Sequence, residues 1–481
     1  MCSEMVMMIW TVSAVLLNMI GQGMVLSYPS SLLPGLQSEN STIKVDFNTA
    51  AWLSSSIGLA GIPGFLLSSY FMDIWGRKVA HGLIIIPGTI GWSLVYAANN
   101  IPTLMIARIL GGMTAGGTVG LGAVVIGEYT DPKHRGMFLN LKTAAVCMGG
   151  MLVHALGHFV DWRTIALVAL VPHILALGII CSWPESPSWL ALKKQFEKSE
   201  QSFYWLRGKT TQSRKEIEEL IRAQKESLQL SSKKISLGGR IKEFFRKFLR
   251  KDFTKPLVIV ILGTFLLEAS GRHIFPAYAI KIINAVTGDS SQSFYYTLAI
   301  DIIITTSAVF SSILVKMFKR RTLLFVSGFS AVAVLMSVCL YLFLVSRDLI
   351  SSERTWIPIM MFVAYFILAN LGCTPIPLAL IGEVFPLAHR GIGSCCGGLS
   401  LSIVLNIGLQ VAPYLMASVK VYGTFAILGA TTGIVLMILF FILPETKDKT
   451  LQEIDDYFKY GKFKDVRENN DDDEVNVKMI T

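Results

Sequence analysis

Charge is what this chain has least of. Only 16% of its 481 residues are Asp, Glu, Lys or Arg, where a soluble domain carries about a quarter. Cysteine is scarce too: there are seven, at 2, 147, 181, 339, 373, 395 and 396. None has metal-ligand spacing, and the adjacent Cys395-Cys396 cannot easily reach disulfide geometry. A disulfide-stapled domain is excluded, and the thiols are expected to pack as small apolar groups. Also missing are a Gly-rich phosphate loop, a metal cluster and a nucleophile–base constellation. The chain is therefore not expected to be an enzyme, to hydrolyse ATP or to hold a cofactor.

What it has instead is long apolar runs. Hydrophobic residues make up 52% of the chain, and runs of about 20 residues read as membrane spans. Twelve are expected, near 5–27, 50–71, 79–98, 103–126, 137–160 and 163–182, then 256–283, 292–315, 322–345, 356–382, 392–417 and 421–443. The first is read as a retained helix rather than a signal peptide. Its leading residues hold Glu4 and no Lys or Arg, and its apolar run is too long for a typical signal core. The chain then divides into a bundle at 1–190, a linker at 191–255, a second bundle at 256–443 and a tail at 444–481.

The net charge of +10 is concentrated in one place. Residues 191–255 hold 18 Lys/Arg and 8 Asp/Glu. Tethered between two spans, this segment reads as a solvated helical linker drawn to the anionic inner leaflet, not as a nucleic-acid site. Arg77-Lys78, Lys133, Arg135, Lys319-Arg320-Arg321 and Arg390 also fall between even and odd spans. Basic residues favour cytoplasmic loops, so both termini are expected inside. The loop after the first span is then outside, where the sequon Asn40-Ser41-Thr42 could be glycosylated. Residues 455–464 read as a further helix, and the acidic run 469–474 as disordered.

Two motifs occur twice. Gly127-Glu128 and Arg135-Gly136 recur 255 residues later as Gly382-Glu383 and Arg390-Gly391, and Pro184-Glu185 recurs as Pro444-Glu445. Two related halves suit a transporter in which one half rocks against the other around a central site. Asp73, Arg77, Glu128, Arg135, Glu185, Arg320, Arg321, Glu383, Arg390 and Glu445 are all placed at cytoplasmic span ends. One such wet pair contributes about 0–1 kcal/mol, but a network that dehydrates in one state could bias a conformational equilibrium. Positive-inside sorting would explain the Lys and Arg and not the spaced carboxylates. Gly76, Gly112, Gly116 and Gly136 are read as close-packing and turn residues.

The ordered set resembles the sugar porter family of the major facilitator superfamily. It comprises Asp73-Ile74-Trp75-Gly76-Arg77-Lys78, Arg108-Ile109-Leu110-Gly111-Gly112, both Glu/Arg-Gly pairs, Pro184–Leu190 and Pro444–Ile454, and it covers almost the whole chain. Within that family, the opening segment and Asp161-Trp162-Arg163 are most similar to the insect facilitated trehalose transporters. The resemblance implies an all-α membrane protein of major facilitator fold, with twelve helices in two six-helix bundles related by a pseudo-two-fold axis. It also implies that the charged motifs, Arg108 counted among them, hold the outward-facing form and release it when the site turns inward. The second half departs from the pattern at Lys316, where the family has an Asp before Arg320-Arg321.

The substrate positions depart further. Where the family carries Gln-Gln-x-Ser-Gly-x-Asn in span seven, this chain reads Leu267-Glu268-Ala269-Ser270-Gly271-Arg272-His273. In span ten the family's Trp is replaced in Thr374-Pro375-Ile376-Pro377-Leu378, and span five has Lys142-Thr143-Ala144-Ala145 near a usual Gln. Ionisable residues inside spans are candidates by default. Glu268 and Arg272, four apart on a helix, are expected to pair. His273 could bond a sugar hydroxyl, and Asp301 lies where the family often has a polar contact. Ser270, Tyr278, Asn370, Thr374, Asn406 and Gln410 are candidate pore-lining groups, while His154 and His158 read as polar packing residues.

The expected function is facilitative transport of a sugar, trehalose or a hexose, by alternating access at the plasma membrane. The expected partners are the sugar and the bilayer, without nucleic acid and with no oligomer required. Span one has Gln22 and no carboxylate, which favours a uniporter over a proton-coupled carrier, although Glu268 could serve as a proton site. A non-sugar carrier and a nutrient sensor on the same scaffold are the alternatives.

Overall fold

The computed structural model describes residues 2–39, 41–230, 251–287, 292–350, 356–385, 390–447 and 457–458. Twelve of its helices are long and apolar enough to cross a membrane. The first six spans are Met5–Gln37, Phe47–Ile74, Arg77–Ala97, Ile101–Tyr129, Met137–Phe159 and Trp162–Ser182. The second six are Phe253–Thr287, Ser293–Ser311, Arg320–Ser346, Trp356–Leu380, Cys395–Ser418 and Lys420–Ile442. They form two six-helix bundles of the major facilitator fold. Lipid offers backbone groups no hydrogen bonds, so each apolar run closes its bonds within a helix. The first span outruns its apolar segment, because the helix restarts at Pro29 and continues to Gln37. Pro is well suited to that first helical turn, where its missing N–H is not needed.

Short polar residues start the later spans. Asn100 accepts from Thr103 N at 2.9 Å, Asp131 from His134 N at 2.8 Å and Asp161 from Thr164 N at 3.2 Å. Each satisfies a donor that the first helical turn leaves orphaned. Glycine lets the spans approach closely: a Cβ on Gly23 would stand 1.9 Å from the Val146 carbonyl oxygen, and one on Gly149 2.0 Å from that of Ile20. The first and fifth spans therefore touch backbone to backbone.

Two spans of the second bundle are broken at mid-depth. The seventh stops at Ala269 and resumes at Ile274. Gly271 between them has φ +71, which a residue with a Cβ adopts at a cost. The tenth stops at Leu371 and resumes at Pro375, where proline has no N–H to continue the ladder. The breaks are tied together, since the Tyr365 hydroxyl of span ten donates to the Ser270 carbonyl at 2.6 Å.

The bundles meet along two seams. Between spans two and eleven, Ser55 Oγ donates to Gln410 Oε1 at 2.5 Å, Asn406 Nδ2 to Ser55 O at 2.8 Å and Tyr414 OH to Asn48 Oδ1 at 2.8 Å. Between spans five and eight, His158 stacks on Phe294 with ring centroids 4.0 Å apart. These contacts lie towards the end opposite Arg77, Glu185 and Arg320, called here the basic end. The basic stretch between the bundles carries helices Pro187–Leu192, Phe196–Arg207 and Thr211–Leu230. Asn40 and residues 469–474 lie outside the described residues, as does all of 455–464 except 457–458.

Candidate functional site

At the basic end the first bundle builds a closed cluster from its loops. Arg77 Nε and Nη2 donate to the two oxygens of Glu128 at 2.8 and 2.7 Å. This is the fork geometry in which guanidinium meets carboxylate best. Ser186 Oγ adds a bond to Glu128 Oε2 at 2.5 Å. Glu185 does something different: it caps the third span, accepting Arg77 N at 2.7 Å and Lys78 N at 3.1 Å. Gly76 makes this possible. Its φ is +95, and a Cβ there would lie 2.2 Å from Glu185 Oε2. Burial pushes the Glu185 carboxyl above its ordinary range, partly offset by the Ser186, Lys78 and Arg77 N–H groups and the Arg77 charge.

The second bundle repeats the cap. Glu445 Oε1 accepts Arg320 N and its Oε2 accepts Arg321 N, both at 3.1 Å, at the start of the ninth span. Arg320 Nη1 donates to Thr446 Oγ1 at 3.3 Å, and Arg321 Nη2 donates to the Phe440 carbonyl at 2.6 Å. Glu185 and Glu445, paired by the sequence repeat, thus hold equivalent helix starts. The bonds of Arg77, Glu128, Glu185 and Glu445 stay within their own bundles. The reason is geometric: each carboxylate faces the first turn of a helix or an arginine in its own half.

The other motif residues separate. The Asp73 side chain is exposed, and the residue contributes its carbonyl oxygen to Trp189 Nε1 at 3.2 Å. Arg135 lies in the helix Pro132–Phe159, its N–H bonded to the Asp131 carbonyl at 3.0 Å. Glu383 ends one helix and Arg390 begins another; their side chains, like that of Lys316, lie outside the described residues. Arg108 does not belong to the basic-end cluster. It is buried near the other end, where Nε donates to Leu53 O at 2.9 Å and Nη1 to Val25 O at 2.8 Å. It ties spans one, two and four together through carbonyls rather than carboxylates.

A central cavity of about 60 Å³ lies between the bundles at the level of the two helix breaks. Ser27 and Cys147 line it from the first bundle; Ser270, Arg272, His273, Asp301, Asn370 and Thr374 line it from the second. The structure thus brings together Ser270, His273, Asp301, Asn370 and Thr374 from the sequence candidates. Thr374 Oγ1 donates to Asn370 Oδ1 at 3.3 Å. Tyr278 and Asn406 are engaged beside the cavity instead: the Tyr278 hydroxyl donates to Leu409 O at 3.0 Å, and Asn406 holds Ser55 O.

The expected Glu268–Arg272 pair does not form. The helix breaks at Gly271, so residues four apart no longer share a face, and Glu268 Oε1 meets His273 Nδ1 at 2.7 Å. His154, read from sequence as a packing residue, is a bundle-to-bundle link: Nδ1 is 2.6 Å from Asp301 Oδ2 and Nε2 is 2.8 Å from Pro276 O. A histidine within an apolar span was the one signal for it. Lys142, another intramembrane cation, donates to Val119 O at 3.0 Å.

Comparison with known proteins accords with this architecture. A family model described as "Sugar (and other) transporter" matches residues 23–458. The chain is 24% identical over 437 residues to a facilitated trehalose transporter of Apis mellifera ligustica, covering 90% of this chain and 84% of that one. It is 27% identical over 426 residues to a facilitated trehalose transporter of Bombyx mori, covering 88% and 81%. In three dimensions it is similar to the proton:xylose symporter XylE bound to 6-bromo-6-deoxy-D-glucose, with TM-score 0.74 and 18% identity over 95% of this chain and 99% of that one. It is also similar to the inward-open xylose transporter XylE from E. coli, with TM-score 0.72 and 18% identity over 94% and 99%. At that identity the solved structures speak to the fold.

Proposed function

The chain belongs to the sugar (and other) transporter family, and on that premise we propose that it is a facilitative sugar carrier working by alternating access. The observation that carries the reading is the cavity at mid-depth, where two broken helices expose Ser270, Asn370 and Thr374 beside a seam between bundles. Hydroxyls and amides both donate and accept, which suits a polyol. Broken helices at the midplane are where carriers of this architecture bind solute. Trehalose is the first sugar to test, from the named activity of the Apis and Bombyx relatives.

In this reading the basic end faces the cytoplasm of a plasma-membrane protein, since Lys and Arg concentrate there. The clusters around Glu128, Glu185 and Glu445 stiffen the cytoplasmic ends of the bundles, and Tyr278, Asn406, His154 and Asp301 work at the outer seam. The absence of a carboxylate from residues 5–27 of the first span favours uniport. A proton-coupled reading draws on the Glu268–His273 and Asp301–His154 pairs beside the cavity. Uptake of labelled trehalose and glucose into proteoliposomes, with and without an inward proton gradient, separates the two. Saturable uptake indifferent to the gradient and reduced in Glu128→Ala supports facilitation. Uptake that follows the gradient replaces it with proton coupling, and folded protein that moves neither sugar removes trehalose and hexose as substrates.

A further inference from the structure

Arg272 is the unaccounted charge of the cavity. It lies in the non-helical link between Ala269 and Ile274 and lines the cavity half-buried. Both acids near it already bond an imidazole nitrogen: Glu268 meets His273 at 2.7 Å and Asp301 meets His154 at 2.6 Å. Among the described residues, no carboxylate lies within ion-pair distance of the Arg272 guanidinium, whose neighbour is the Cys147 thiol. A thiol is a weak acceptor. A guanidinium at mid-membrane depth without a counter-ion is costly, and such residues are kept for substrate or ion pathways.

Resting on the transport reading above, we propose that the substrate class is a sugar acid, a polyol bearing one carboxylate such as a hexuronate or an aldonate. The carboxylate docks on Arg272, whose planar fork matches two carboxylate oxygens. The hydroxyls meet Ser270, Asn370, Thr374 and Ser27 on the surrounding wall. One guanidinium balances one negative charge. The cavity presents no second Arg or Lys among its lining residues, so a phosphate dianion would enter under-compensated. The same feature accounts for the chemistry at 267–273: one acid–base pair, Glu268 with His273, and Arg272 stand where amides would read a neutral sugar.

The test is uptake of labelled D-glucuronate, D-gluconate, D-glucose and glucose 6-phosphate into proteoliposomes under a clamped membrane potential. Saturable uptake of either acid, accelerated by an inside-positive potential, is expected. In Arg272→Gln the glucuronate-to-glucose uptake ratio should fall at least tenfold, with partial recovery in Arg272→Lys. A glucuronate-induced rise in the Tm of the wild-type protein gives a readout that needs no variant to fold. Uptake of glucose with neither acid carried nor bound overturns the sugar-acid assignment and leaves the transport reading standing. Preference for glucose 6-phosphate over both acids overturns the single-carboxylate class. Folded protein that moves none of the four removes the transport reading, and this inference with it.

Discussion

The His154–Asp301 contact can be weighed by a double-mutant cycle. Both side chains are buried, at 1% and 7% exposure, and they join span five of one bundle to span eight of the other. Removing one member of a buried hydrogen-bonded pair costs about 3–5 kcal/mol, because the partner is left in low dielectric. His154→Ala should be the more damaging single change. It loses the bonds to Asp301 and to the Pro276 carbonyl together, whereas Asp301→Ala leaves the 2.8 Å bond to Pro276 in place. The coupling energy between the two positions is expected at about 1–3 kcal/mol. Since the contact exists only while the bundles are joined here, that energy biases the joined arrangement by roughly 5–150-fold. The assay is a spin-label distance between the exposed end positions Phe159 and Tyr295, taken alongside chemical unfolding of the four proteins. The single variants should populate longer distances, and the double variant should resemble His154→Ala. Additivity within about 0.5 kcal/mol, with unchanged distances, would refute the idea that this pair latches the seam.

Three further outcomes follow from the geometry. Gly23→Ala places a methyl 1.9 Å from a backbone oxygen, while Gly82 has nothing within 4 Å of an added Cβ. The first should lose about 1–3 kcal/mol by overpacking and the second should gain up to about 1 kcal/mol by helix propensity, read as opposite shifts in Tm. Arg77→Lys removes the two-pronged contact with Glu128 and should lose much of what Arg77→Ala loses, because an ammonium cannot reproduce the fork; equal thermal stability of Arg77→Lys and wild type would contradict this. Glu185 sits above its ordinary value of 4.5 because of burial. The fold therefore binds this proton more tightly than the unfolded chain does. Its contribution is fully present below the ordinary value and is lost as pH rises through the folded one. Glu185→Gln should flatten the fall in Tm above pH 4.5 relative to wild type, and a slope identical to wild type would count against it.

The twelve spans and the charged span ends could be read from the chain because both are local. An apolar run of membrane length has one way to satisfy its backbone, and a carboxylate at the residue before a helix, such as Asp131 before Pro132, has the N–H groups of that first turn as its nearest partners. Residues 267–273 could not be read the same way. Pairing Glu268 with Arg272 assumes an unbroken helix, and Gly271 at φ +71 rotates every later side chain onto a different face. With the break in place Glu268 finds His273, Arg272 is released into the cavity, and the residues that looked self-neutralising leave a cation over. Arg108 misled for a related reason. Its place in a motif of charged residues suggested a carboxylate partner, but Nε and Nη1 bond two carbonyls that spans one and two direct at them, and Nη2 is buried without a hydrogen-bond partner among the described residues. The link from His154 to Asp301 was not legible, because the partner lies 147 residues away in the other bundle. No periodicity connects residues across a seam that exists only after both bundles have formed. The local pattern therefore specifies the scaffold, while the chemistry of the cavity is set by one glycine's backbone and one contact between halves.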